Sequence, residues 1–128
     1  MNLIPCTLQA SGDDLTVRLN DKIAFPVPKD RAERYRPYVD NSKLILGIRP
    51  EHIFEQRPGA EAGQHPFESL IDVTEQMGMD TLVYFEVNDV QVCGRVSPKA
   101  GAQVGANMRL LADMNNMHLI DDESGKVL

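Results

Sequence analysis

Short apolar stretches cut at close intervals by turn-forming residues, with a single stretch at helical spacing, constrain this chain more than any other feature. Leu15, Val17 and Leu19 alternate with Thr16 and Arg18, the period of two expected of a half-buried strand. Leu3–Leu8 before it reads as a strand, closed by the turn cluster Ser11–Asp14. Asn20–Asp21 predicts a tight turn into Lys22–Val27, and Asn88–Asp89 predicts another between Thr81–Val87 and Val90–Val96. Lys43–Ile48, Phe67–Gln76, Met108–Leu111 and His118–Ile120 supply further strands, with Met77–Asp80 a turn, Pro58–Pro66 a surface loop and Ser97–Gly105 a connector. Only Lys29–Val39 changes period: Ala32, Tyr35 and Val39 fall at helical spacing, interrupted by Pro37. The count is eight or nine strands and at most two short helices. Without long helices to make crossovers the strands must be largely antiparallel, and closing them on themselves removes exposed edges. The expected fold is all-β, a small antiparallel barrel in one domain over residues 1–128.

Charge and motif content narrow the function. A formal net charge of −6 argues against nucleic-acid or anionic-membrane binding, since both need a basic surface. Three Tyr, four Phe and no Trp are few for stacking bases. The basic run Lys29, Arg31, Arg34 and Arg36 is diluted by Asp30 and Glu33 and reads as a solvated helix face. Apolar runs such as Leu44–Ile48 are too short to span a bilayer, so no direct membrane insertion is expected. No phosphate loop exists: Gly101 and Gly105 lead to Ala106–Asn107, without the lysine that would reach phosphates. No nucleophile elbow or paired-histidine zinc motif is present, and we expect no catalytic residues. His52, His65 and His118 have no metal-ligand spacing, so no metal site is expected. Cys6 and Cys93 are read as small buried thiols, and Asp121–Glu123 as a solvated terminal turn. The one cluster suited to an oxyanion is Arg95, Ser97 and Lys99, alternating toward one face beside Pro98.

The most unusual segment is Leu46-Gly47-Ile48-Arg49-Pro50-Glu51-His52. Physically it is a buried strand meeting a proline, which forces Arg49 to be extended and removes a ladder donor. Arg49 and Glu51 flank that fixed bend, placed to pair with each other or to anchor nearby backbone. This segment closely resembles the signature of the C-terminal regulatory domain, of transport-associated OB (TOBE) type, in ATP-binding proteins of maltose/sn-glycerol-3-phosphate-type carbohydrate ABC importers. Three more matches stand in order. Met1–Pro5 is similar to the passage from the nucleotide-binding domain into this module. Glu75–Thr81, with Gly78 and Thr81, resembles the family's strand–glycine–strand turn. Gly105–Leu110 with His118–Asp121 and Ser124–Gly125 resembles its closing strands. The resemblance covers essentially all 128 residues, with Ile120 where an aromatic is usual and Ser124 in place of threonine.

The resemblance implies an OB-like fold and a structural or regulatory role for Gly47, Ile48, Arg49, Pro50, Glu51, His52, Gly78, Thr81, Gly105, Asp121 and Gly125. It implies a non-catalytic regulatory and dimerisation module of a longer chain, whose nucleotide-binding domain would lie upstream and carry ATP and magnesium. No cofactor is expected in these residues themselves. The implied partners are a second copy, permease subunits reached through the ATPase domain, and a regulatory protein. The implied location is cytoplasmic, peripheral on the inner face of the membrane. Related domains bind oxyanions such as molybdate, which keeps the Arg95, Ser97, Lys99 reading as an alternative. Met114 and Met117 are weak candidates for a dimer surface, with core packing the plainer role.

Overall fold

The first strand, β1 (Asn2–Ser11), alternates buried and exposed residues along most of its length and organises the first of three antiparallel sheets. It pairs with β2 (Asp14–Arg18) through the turn at Gly12 and with β4 (Leu44–Ile48) on its other side. With β3 (Ala24–Pro26) and β11 (His118–Asp121) at the edges, the order is β11-β4-β1-β2-β3. The second sheet is β5-β10-β6, built from Ile53–Glu55, Asn107–Asp113 and Gln64–Leu70. The third is β7-β8-β9, built from Val73–Gln76, Thr81–Val87 and Val90–Val96. The computed structural model describes residues 1–41 and 43–128.

The expectation of an all-β, OB-like antiparallel domain is met, with differences of detail. Eleven strands replace eight or nine among the described residues, and their ladders fall into three sheets rather than one continuous barrel wall. The stretch read as one strand over Phe67–Gln76 is two. Ile71 donates its amide to Ala106 O, whereas Asp72 donates to Tyr84 O, so the chain leaves the second sheet and enters the third between them. The loop expected over Pro58–Pro66 ends early, because β6 already begins at Gln64. β5 was not anticipated; three residues are too few to show a period.

The single helix, α1 (Lys29–Tyr35), follows Pro28 and passes into a tighter turn over Arg36–Tyr38 that accommodates Pro37. Ala32 and Tyr35 face inward, Tyr35 with no exposure at all. Its basic face is not merely solvated. Arg31 donates to Asn115 O and, at 2.6 Å, to Met117 O, and Arg36 donates to Asp13 O at 2.8 Å, tying the helix to the turn before β11 and to the β1–β2 turn.

One apolar core serves all three sheets. Phe67, partly buried, packs against it, edge-on to Phe25 at 5.5 Å and tilted against Phe85 at 5.8 Å, so each sheet contributes one ring. Each such ring pair adds about 0.5–1.5 kcal/mol beyond area burial. Met114 and Met117 are fully buried, which settles them as core residues.

Candidate functional site

The signature segment forms the corner between the first and second sheets. β4 ends at Ile48, Arg49 is extended (φ −79°, ψ 151°) as the following proline requires, and Pro50–His52 make one tight turn into β5. The His52 amide donates to Arg49 O at 3.0 Å, and Ile48 and Ile53 sink into the core on either side. Arg49 and Glu51 form no ion pair with each other or with any other described residue. His52 lies on the turn as expected, half-buried, with Nδ1 enclosed and without a hydrogen-bond partner. The corner thus fixes an angle between sheets and leaves two charged side chains free of internal partners.

The other signature residues are distributed over the molecule and shape turns. Gly78 (φ 80°) closes the β7–β8 hairpin, where the Met77 amide donates to Asp80 O, and Thr81 begins β8 nearly buried. Gly105 donates to Ile71 O, and Gly125 to Asp121 O at 2.7 Å. Asp121 accepts from the Ser124 hydroxyl at 2.9 Å and from the Glu123 amide, and the Ser124 bond holds its carboxyl below the usual range. Gly47 sits on the outer face of β4, where an added Cβ would stand 3.2 Å from Met1 Sδ.

The oxyanion candidates are only partly brought together. Arg95 and Ser97 border one recess of about 460 Å³, which Glu51 and Asp80 also line; Lys99 does not. Arg95 Nε lies 3.8 Å from Asp80 Oδ2. The Ser97 hydroxyl accepts from the Lys99 amide, and the Ser97 amide donates to Glu55 Oε2. Burial pushes the Glu55 carboxyl up, but the backbone donors and Arg57, 3.0 Å away, outweigh it and hold the group below its ordinary value. Carboxylates therefore already engage two of the donors, Arg95 and the Ser97 amide.

Two structural residues escaped the reading of the sequence. Asn2, nearly buried, donates to Cys93 O at 2.8 Å and accepts from the Cys93 amide at 2.9 Å, so one side chain stands in for a strand pair between the first and third sheets. Gly94 allows β9 to press on β5: an added Cβ would lie 2.9 Å from Ile53 Cγ2 and 3.1 Å from Ile53 O. The glycine in Cys93-Gly94-Arg95 was the only visible hint. Cys6 is buried as expected, and burial pushes its thiol up to about 12. Cys93 is not: with Val92 and Gly94 turned inward, it faces out beside Tyr84 and is half-buried.

Among the described residues no helix is long and apolar enough to cross a membrane, and no group of His, Cys, Asp and Glu could hold a metal.

Comparison with known proteins agrees with the fold. Residues 1–53 match the MalK OB fold domain family. The sn-glycerol-3-phosphate import ATP-binding protein UgpC of Salmonella typhimurium is 30% identical over 126 residues, 98% of this chain and 32% of the relative. The alpha-glucoside transport ATP-binding protein AglK of Rhizobium meliloti is 28% identical over 94% of this chain and 32% of its own length. The sulfoquinovosyl glycerol transport ATP-binding protein SmoE of Agrobacterium fabrum is 28% identical over 88% and 30%. The chain thus spans about a third of the length of these relatives. The crystal structure of the molybdate-binding protein ModG superposes with a TM-score of 0.60 over 92% of this chain and 94% of that one; at 13% identity this is a likeness of fold alone. Taken with the corner at Arg49–His52 and the three-sheet OB-like core, these matches place the chain as a transport-associated OB-type domain of the carbohydrate-importer ATP-binding protein kind.

Proposed function

We propose that this chain is a non-catalytic regulatory and dimerisation module of an ABC importer's ATP-binding subunit, which powers entry of a sugar or glycerol-phosphate-like solute. The observation that carries the reading is the alignment with a glycerol-3-phosphate import ATP-binding protein over 98% of the chain at 30% identity. The architecture supports it: three sheets share one core and contribute one aromatic ring each to a contacting trio, which suits a rigid platform that keeps two copies together while motor domains open and close. In this reading ATP and magnesium belong to a nucleotide-binding domain on the same polypeptide. The permease is contacted through that domain, and the assembly sits on the cytoplasmic face of the membrane. A regulatory protein would use the exposed surface. The oxyanion alternative loses support from the carboxylates that engage Arg95 and the Ser97 amide.

The test is the reading frame upstream of Met1. An in-frame phosphate loop is the expected result, and removing residues 1–128 from that longer protein should then weaken its pairing and its uptake activity. A frame closed directly upstream would overturn the reading.

A further inference from the structure

β7 is an edge of the third sheet: it pairs with β8 on one side and with no described strand on the other. The Met77 amide donates to Asp80 O, which makes those two residues a hydrogen-bonded pair. The alternation of an antiparallel ladder then makes Glu75–Leu82 hydrogen-bonded as well, and turns the N–H and C=O of Thr74 and Gln76 to the open side. No described backbone group answers them there. Sheet edges are commonly blunted by proline or lysine, and β7 has neither. Apolar side chains gather along it. Of the eight large apolar side chains exposed among the described residues, Val73 and Met77 lie on β7 and just beyond it, Met79 at the hairpin tip and Leu70 just before it; Val104 adjoins Gly105, which is bonded to Ile71 O. A period of two puts Val73, Glu75 and Met77 on one face, with Val73 48% and Met77 58% exposed.

We propose that the open edge of β7 takes up an extended, basic segment of another protein as an added strand, a docking role that goes beyond the importer reading and does not need it. Charge identifies the occupant. Residues 72–96 carry five carboxylates against one cation, a net −4 of the chain's −6, and that cation, Arg95, lies beside Asp80. Asp72 and Glu75, next to and on β7, have no ion-pair partner among the described residues. A second copy brings the same charge to the edge and is repelled, as are nucleic acid and an anionic membrane. The edge also dictates the pattern of its guest. On one face, apolar side chains stand against Val73 and Met77 with a lysine or arginine between them against Glu75; polar residues alternate with these against Thr74 and Gln76. Main-chain bonds then supply affinity, and the alternating face supplies specificity.

The probe is a capped synthetic peptide, Lys-Leu-Thr-Lys-Thr-Leu-Lys, titrated into this chain and followed by NMR shifts and amide hydrogen exchange; its control carries Glu for every Lys. The expected result is saturable binding at peptide concentrations up to about 1 mM, with shifts centred on residues 73–77 and slowed exchange at the Thr74 and Gln76 amides. The control should not bind. Glu75→Lys, a change at an exposed side chain, should weaken binding about 10-fold or more. Thr74→Pro removes one outward N–H and spares the bonds to β8, and should weaken it about 3- to 10-fold. Glu75→Lys decides the matter even where the proline variant fails to fold. No saturable binding, equal binding of the control, or shifts that lie away from β7 overturn the proposal. Slowed exchange at the two amides that grows with protein concentration, without peptide, assigns the edge to a second copy and overturns it too. None of these outcomes bears on the reading frame upstream of Met1, which tests the importer reading separately.

Discussion

Two hairpins share β8, and their tips meet opposite fates. At one, Asn88 and Asp89 both take positive φ (53° and 64°), and Asn88 Nδ2 reaches across to Pro5 O and Leu19 O, locking the tip onto the first sheet. At the other, Met77–Asp80 turn around Gly78, nothing lies within 4 Å of an added Gly78 Cβ, and Met79 is 90% exposed. Both were legible as turns from their residue types, yet only one joins sheets. The lesson is that turn chemistry fixes where a chain reverses, while donors and acceptors elsewhere decide whether the reversal becomes a tie.

The strongest way to break the docked side is Gly94→Val. Its Cβ would enter the space of Ile53 Cγ2 and of the Ile53 carbonyl, which is backbone and cannot step aside. We expect a loss of about 3 kcal/mol in urea unfolding, from overpacking between β9 and β5. Next comes Asn2→Ala, which strips the Cys93 amide and carbonyl of their partner; thermal or urea unfolding should show about 2 kcal/mol lost. A loss below about 0.5 kcal/mol would mean that water replaces the side chain without penalty.

The free tip should tolerate far more. Gly78→Ala meets no atom and costs only the positive φ, about 1 kcal/mol, and Met79→Ser should change stability by less than about 0.5 kcal/mol. The smallest expected effect in energy is chemical: a thiol reagent should label one cysteine per native chain. Cys93 is half-buried on the outer face, and Cys6 is enclosed. Burial raises both thiols, so labelling of Cys93 should be slow at neutral pH and accelerate as pH climbs past the ordinary thiol range. For Cys6, pushed from 9.0 to about 12, the folded state keeps a proton that the unfolded chain releases. Its stabilising contribution is therefore intact below pH 9 and is lost as pH rises toward 12, a loss that Cys6→Val should abolish.

Much of the candidate site was readable because it depends on local chemistry. Pro50 dictates an extended Arg49 in any context, and Asn88–Asp89 tolerate left-handed backbone wherever they stand. Cys93 was misread because an apolar run hides which residues face in; the tight approach at Gly94 set the phase. The break between β6 and β7 was invisible because Phe67–Gln76 carries no proline or glycine. Its cause is a change of partner, Ala106 for Ile71 and Tyr84 for Asp72, and partners belong to distant strands.

The sequence by itself determined the class of fold, the positions of most turns, the absence of a phosphate loop and the resemblance carried by Leu46–His52. Each is a matter of neighbours within a few bonds, where sterics and hydrogen-bond geometry leave few choices. Only the tertiary structure decided that the ladders divide into three sheets, that Asn2 joins two of them across 91 residues, and that β9 presses on β5 at Gly94. Those outcomes depend on which surfaces meet once the core closes, and period alone names the two faces of a strand without saying which will be covered.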